Sequence, residues 1–345
     1  MRVLVASTVV PFVKGGGTII VDSLERALAE RGHEVDVLRL PFESDVNTML
    51  PQMLAMRLHH LEDASDRLIC IRTPSYLIQH PEKVVWFIHH HRGAYDLWDT
   101  EYADLHDDPR GRSLRDAIQA ADDTAFEEAR AIFANSHVVR NRLLKYNGRS
   151  VEVLYPPLDY PEQFSCSGYG DAIVYISRIH HHKRQWLAVQ AMRYTTTPVR
   201  LVLAGASGSA MDEAYIVDLI RDDGLESKVS FRKGWLDEAE KAQLLAESLA
   251  AVYCPFDEDS YGYTSLEAHQ SVKAVVTTTD SGGVLELVED RVNGFVCEPT
   301  PQALAARFDQ LYEDRALAER MGNAGRERMI QLDISWDRVV NRLLA

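Results

Sequence analysis

The sequence predicts an α/β protein made of two strand–helix series, each a doubly wound Rossmann-like domain. Two observations carry this. Short apolar runs of strand length recur with helical patterns between them, near 2–7, 34–40, 66–71, 83–88, 131–135 and 151–155, and again near 172–176, 199–204, 229–232, 249–253, 274–278 and 294–296. Strands that alternate with helices form a parallel sheet. The second observation is the run Tyr155-Pro156-Pro157-Leu158-Asp159-Tyr160-Pro161, followed by a polar stretch to Gly170. Prolines this dense remove ladder donors and stiffen the chain. The boundary therefore falls between domains 1–160 and 161–331.

The chain has 345 residues, enough for two cores. Its apolar content is 46% and its charged content 26%, as in soluble globular proteins. A net charge of −15 argues against nonspecific nucleic-acid binding. Four cysteines, Cys70, Cys166, Cys254 and Cys297, lack CxxC spacing and read as free thiols in a reducing compartment. No apolar run reaches membrane-spanning length. The expected location is cytoplasmic.

In the first half, the strand at 2–7 leads through Pro11 and Phe12 to Gly15-Gly16-Gly17, a helix to about Glu30, and the strand at 34–40. This is a βαβ opening without the GxGxxG fingerprint of dinucleotide binding. A helical stretch follows at 47–61, then a strand, the loop Arg72-Thr73-Pro74-Ser75, and a strand ending in His89-His90-His91. Three adjacent histidines present two faces, and no carboxylate or cysteine completes a metal set. Residues 96–115 read as polar and irregular, and a helix is expected from Ser113 to Ala129. After the strand at 131–135, Ser136 is expected to cap a helix.

In the second half two stretches carry the chemistry. Arg178 directly follows the strand at 172–176, and Lys183 comes after four intervening residues. Open α/β sheets bind ligands beyond the carboxyl ends of their strands. Arg178 offers a planar fork to phosphate and Lys183 a point charge. The other stretch runs from Asp257 to Ala268, after the strand at 249–253. Asp259 and Ser260 are expected at a helix start, whose free N–H groups and positive dipole end suit a diphosphate. The N–H groups of Gly262, Tyr263 and Thr264 belong to that start. Glu267, separated from Asp259 by seven residues, stands where a carboxylate can accept hydrogen bonds from a ribose diol. Trp235, after the strand at 229–232, is expected to pack. The loop Thr279-Asp280-Ser281-Gly282-Gly283 closes the strand at 274–278.

Strand, Arg178, four residues, Lys183, and then Asp259, seven residues and Glu267-Ala268 resemble the retaining glycosyltransferases of family 4, the glycosyl transferases of group 1. The resemblance implies the GT-B fold: two Rossmann-like doubly wound domains facing across a cleft, with the C-terminal helix, about 332–345, crossing back onto the first. It implies an acceptor-binding first domain and a nucleotide-sugar-binding second domain. It implies sugar transfer from a UDP- or GDP-sugar to an acceptor hydroxyl with retention, with a sugar or lipid-linked acceptor. Arg178 and Lys183 would neutralise the leaving diphosphate, Asp259 would hold sugar hydroxyls, and Glu267 the ribose. Gly16 and Gly17 would let backbone approach the donor phosphates and the acceptor, and His89 first, His91 second, would contact the donor sugar. Asp259 departs from the family's usual Glu by one methylene. No cofactor and no metal are expected; Asp257-Glu258-Asp259 matches a metal motif only in its letters. Peripheral contact with the inner face of a membrane is compatible with the family. The alternatives are an epimerase or phosphorylase on the same fold, or a catalytically inactive binding protein.

Overall fold

The structure is a computed structural model that describes residues 1–12, 15–100 and 103–345. It divides into two units: residues 1–157 with 334–345, and residues 158–333.

The first unit carries a six-stranded parallel sheet in the order β2-β1-β3-β4-β5-β6. Its strands are β1 (Arg2–Val9), β2 (Glu34–Pro41), β3 (Arg67–Cys70), β4 (Lys83–Phe87), β5 (Ala131–Ala134) and β6 (Glu152–Val153). Its helices are α1 (Gly16–Glu30), α2 (Met49–Arg57), α3 (Pro109–Glu127) and α4 (His137–Asn147). β3 and β4 are buried along their whole length, as expected for a parallel sheet covered on both faces. The core around Tyr76, Phe87 and Phe126 packs by edge-to-face and tilted aromatic contacts of 5.2–5.7 Å. Ser136 caps α4 by accepting from the Val139 N–H at 3.0 Å.

Two boundaries differ from expectation. The stretch expected to be irregular up to Arg115 is helical from Pro109. Asp108 accepts from the Gly111 N–H at 2.7 Å as N-cap, and Pro109 takes the first helical position, where its missing N–H is harmless. The helix near 47–61 is shorter, Met49–Arg57.

The second unit repeats the plan in the order β12-β11-β10-β7-β8-β9. Its strands are β7 (Ala172–Ile176), β8 (Arg200–Gly205), β9 (Val229–Lys233), β10 (Ala250–Val252), β11 (Val275–Thr278) and β12 (Gly294–Cys297). Its helices are α5 (Gln185–Ala191), α6 (Ala210–Asp222), α7 (Glu238–Glu247), α8 (Tyr263–Gln270), α9 (Pro301–Glu313) and α10 (Arg315–Gln331).

The last helix, α11 (Trp336–Leu344), belongs to the first unit. It buries Val339, Val340 and Leu343. The buried Arg67 donates to the carbonyls of Leu343 and Leu344 at its C-terminus, and Glu152 of β6 pairs with Arg338 and Arg342. Cys70, Cys254 and Cys297 are buried free thiols, and Cys166 is exposed. Among the described residues no helix is long and apolar enough to cross a membrane.

Candidate active site

In the second unit the chain lays down β7, β8 and β9 toward one edge, then returns to place β10, β11 and β12 on the other side of β7. The direction reverses between β7 and β10. Open α/β sheets bind ligands at such a reversal, beyond the carboxyl ends of the strands. Arg178, Lys183 and the α8 start all lie there.

Arg178 follows β7 and is exposed. Among the described residues no side chain pairs with its guanidinium. The α8 start is tied to the same strand end, because the Thr264 hydroxyl donates to the Ile176 carbonyl at 2.5 Å. The helix begins at Tyr263 with Gly262 as N-cap, so Asp259 and Ser260 precede it rather than starting it. Gly262 has φ 68°, and a Cβ there would come within 2.4 Å of the Tyr253 ring. Only glycine allows the chain to pass so close to that ring and turn into the helix. The backbone N–H groups of Gly262, Tyr263 and Thr264 thus sit at the head of α8, beside the end of β7.

Lys183 lies in a short 3-10 turn, His181–Lys183. Its ammonium donates to the Tyr253 hydroxyl at 2.9 Å and forms an ion pair with Glu258. The Tyr253 hydroxyl in turn donates to Glu258 at 3.1 Å. Burial works to raise the Glu258 carboxyl, but Lys183 outweighs it and holds the group below the ordinary glutamate range. The expected phosphate-binding lysine therefore already has a counter-ion in the chain.

Arg184, the next residue, acts as a rivet. It has φ 53° and forms a bidentate pair with Asp280 at 2.7 and 2.8 Å. It also donates to the carbonyls of Cys254 and Pro255 and to the Thr278 hydroxyl. One guanidinium thus fastens the loops after β10 and β11 together. The Gly282-Gly283 turn completes that frame: the Gly283 N–H donates to the Glu258 carbonyl at 2.8 Å, and a Cβ on Gly282 would meet that oxygen at 2.5 Å.

Glu267 is buried on α8 and pairs with Lys241 of α7 at 2.6 Å. Burial raises the Glu267 carboxyl and Lys241 only partly offsets it. Burial pulls the Lys241 ammonium down, but Glu267 and Glu238 together leave it raised. Trp235, expected to pack, is 54% exposed.

In the first unit the reversal lies between β1 and β3. The Gly15-Gly16-Gly17 stretch follows β1, and α1 starts at Gly16 with no side-chain cap. A Cβ on Gly17 would stand 3.0 Å from Arg72 Cδ and 3.6 Å from Ile88 Cδ1, so residues following β1, β3 and β4 meet here. His89 is half-buried, with Nδ1 2.8 Å from the His90 carbonyl. His91 sits 3.2 Å from Asp104, and the buried His90 pairs with Asn147 at 2.8 Å. The three histidines thus have separate partners. Among the described residues no group of three His, Cys, Asp or Glu side chains converges as a metal set.

Three of the residues that organise these edges were not among the expected ones: Arg184, Lys241 and Arg72. Arg184 has a weak signal in its place beside Lys183, and Arg72 in its place at a strand end. Lys241 has none, since its partner lies 26 positions away.

Residues 168–328 match the family described as Glycosyl transferases group 1. An α-1,3/1,6-mannosyltransferase from Dictyostelium discoideum is 30% identical over 146 residues, which is 36% of this chain and 34% of that protein. The chain spans between 32% and 48% of the length of the mannosyltransferases it matches. Among solved structures, sucrose-phosphate synthase from Thermosynechococcus elongatus aligns with a TM-score of 0.77 at 18% identity, over 99% of this chain and 97% of that one. Anabaena HepE in complex with UDP aligns with a TM-score of 0.73 at 16% identity, over 100% and 99% of the two chains. The chain has the GT-B fold, and its residues 168–328 resemble the glycosyl transferases of group 1.

Proposed function

We propose that the protein transfers a sugar from a UDP- or GDP-sugar to an acceptor hydroxyl, with retention of configuration and without a metal ion. The observation that carries this reading is the grouping of Arg178, Lys183 and the α8 N–H groups at the β7/β10 reversal. Two cations and a helix start form an anion site whose chemistry suits a diphosphate. The UDP held by the structural relative HepE agrees with it.

In the proposed reaction the bond between the anomeric carbon and the β-phosphate oxygen breaks. The acceptor oxygen attacks the same face, and the leaving phosphate takes the acceptor's proton. Arg178 and Lys183 neutralise the charge that builds on the diphosphate, which stabilises the transition state electrostatically. They supply the charge that a metal provides elsewhere. Lys183 exchanges Glu258 for phosphate when the donor binds. Asp259 holds sugar hydroxyls, Glu267 receives the ribose diol, and the first unit takes the acceptor. The acceptor is a sugar or a lipid-linked sugar, and the site works at the cytoplasmic face.

The test is turnover of UDP- and GDP-sugars by wild type and Arg178→Ala, with the anomeric configuration of the product read by NMR. Loss of turnover of about a hundredfold or more in a folded variant is expected. Unchanged turnover removes Arg178 from the reaction, and an inverted product removes the retaining mechanism.

A further inference from the structure

We infer that Arg72 is an anion-recognition site in the first unit, so that the acceptor carries a phosphate or carboxylate group. The word acceptor rests on the function proposed above; the anion site does not.

Several of the half-buried guanidinium groups in this protein are matched by carboxylates. Arg57 pairs with Glu128, Arg92 and Arg142 share Asp96, and Arg184 holds Asp280. Arg72, at a strand end, has no carboxylate partner among the described residues. Among the described residues its only hydrogen bond goes to the neutral carbonyl of Thr8, at 3.1 Å. Burial pulls its pKa below the ordinary arginine range. The chain has 52 acidic and 37 basic residues, so carboxylates are not scarce. A desolvated cation with no counter-ion among the described residues is costly, and a ligand that brings the counter-ion removes that cost.

Its location gives the second argument. Arg72 follows β3, and Gly17 follows β1, on the two sides of this unit's reversal in strand order. The guanidinium stem lies against Gly17, where a Cβ would stand 3.0 Å from Cδ and 3.2 Å from Nε. An open sheet binds its ligand at that point. One of the five guanidinium N–H groups is spent on Thr8. The others remain to grip a planar or tetrahedral oxyanion.

A structural role would make Arg72 a clamp on the Thr8 carbonyl alone, and paired variants separate the two roles. Arg72→Gln keeps a neutral donor for that carbonyl and loses the charge. Arg72→Lys keeps the charge and loses the fork. The full-length protein, saturated with UDP, is titrated with inorganic phosphate and separately with malonate, by calorimetry. The UDP affinity of each variant is measured on the same samples. At least one anion is expected to bind wild type, to bind Arg72→Lys within severalfold, and to bind Arg72→Gln at least roughly tenfold more weakly, with UDP affinity unchanged. Preference for phosphate or for malonate assigns the acceptor group. Equal binding to wild type and Arg72→Gln, or no binding of either anion to wild type, overturns the inference. If UDP fails to bind wild type, the donor reading falls, and the same comparison without UDP still decides the anion site. Should the Gln variant not fold, Arg72→Met carries the comparison.

Discussion

Replacing Lys241 by Met removes the cation paired with a buried carboxylate in the proposed ribose site. Lys241 is 12% exposed and Glu267 8% exposed at their side chains, with 2.6 Å between the charged atoms. Removing one partner of such a pair costs about 3–5 kcal/mol, because the remaining charge is stranded. Protonation of Glu267 relieves that cost. Burial already sets its carboxyl above the ordinary glutamate range, and the loss of Lys241 raises it further. A carboxyl whose folded pKa exceeds its unfolded value favours the fold at low pH and loses that contribution as pH rises through the folded pKa. The destabilisation of Lys241→Met is therefore largest at pH 8 and shrinks toward pH 5, by up to about 1.4 kcal/mol per pH unit below the new pKa. At pH 8 about 3 kcal/mol is expected, a fall of roughly 6–12 °C in the melting transition of the second unit. Scanning calorimetry at pH 5, 6.5 and 8 reads this directly. The double variant Lys241→Met/Glu267→Gln should recover at least half of the loss at pH 8. A Lys241→Met variant as stable as wild type at pH 8, or equally destabilised at pH 5 and pH 8, would refute the reasoning.

Two further outcomes follow from buried carboxylates. Asp122 lies in the first unit between the hydroxyls of Tyr76 and Tyr95, at 2.9 and 2.7 Å, and burial pushes its carboxyl from 3.8 up to about 7. The folded state keeps that proton to higher pH than the unfolded state, so this unit loses about 2–4 kcal/mol as pH rises from about 4 through about 7. Asp122→Asn should flatten that slope in calorimetry between pH 5 and 8, and an unchanged slope would remove Asp122 as its source. Lys183→Ala should abolish turnover and also lower the melting point, because the half-buried Glu258 loses its cation and keeps only the Tyr253 hydroxyl. Adding Glu258→Gln should restore stability without restoring turnover; restored turnover would show that Lys183 does not face the phosphate.

Both sheets could be read from the chain because strand signals are local. Apolar runs buried on both faces, such as Ile173–Ile176 and Val84–Phe87, stand out against any neighbour. The basic pair at the end of β7 and the glycine ahead of α8 were visible for the same reason. The start of α8 was misplaced by a few residues, because the strained turn at Gly262 depends on Tyr253 lying beneath it. The Asp108-Pro109 cap was hidden by the charged residues around it, which resemble a loop. Contacts far apart in sequence carry no spacing signal. Arg184 meets Asp280 across 96 positions, and Lys241 meets Glu267 across 26. The pairing of Lys183 with Glu258 changes how that lysine is understood, and only the fold brings the two together. Trp235, expected to pack, is exposed because its loop runs past the edge strand β9.

The central claim is a nucleotide-diphosphate site built from Arg178, Lys183 and the head of α8. The most direct measurement is a thermal-shift titration with UDP, GDP and ADP, with and without EDTA, on wild type and Arg178→Ala. A ligand that binds only the folded state stabilises it by mass action, by about 2.7 kcal/mol at a hundred times its Kd. The account predicts a melting-point rise with UDP or GDP that EDTA does not alter and that Arg178→Ala loses. No rise with any of the three, or a rise that persists in Arg178→Ala or needs a metal ion, would contradict it.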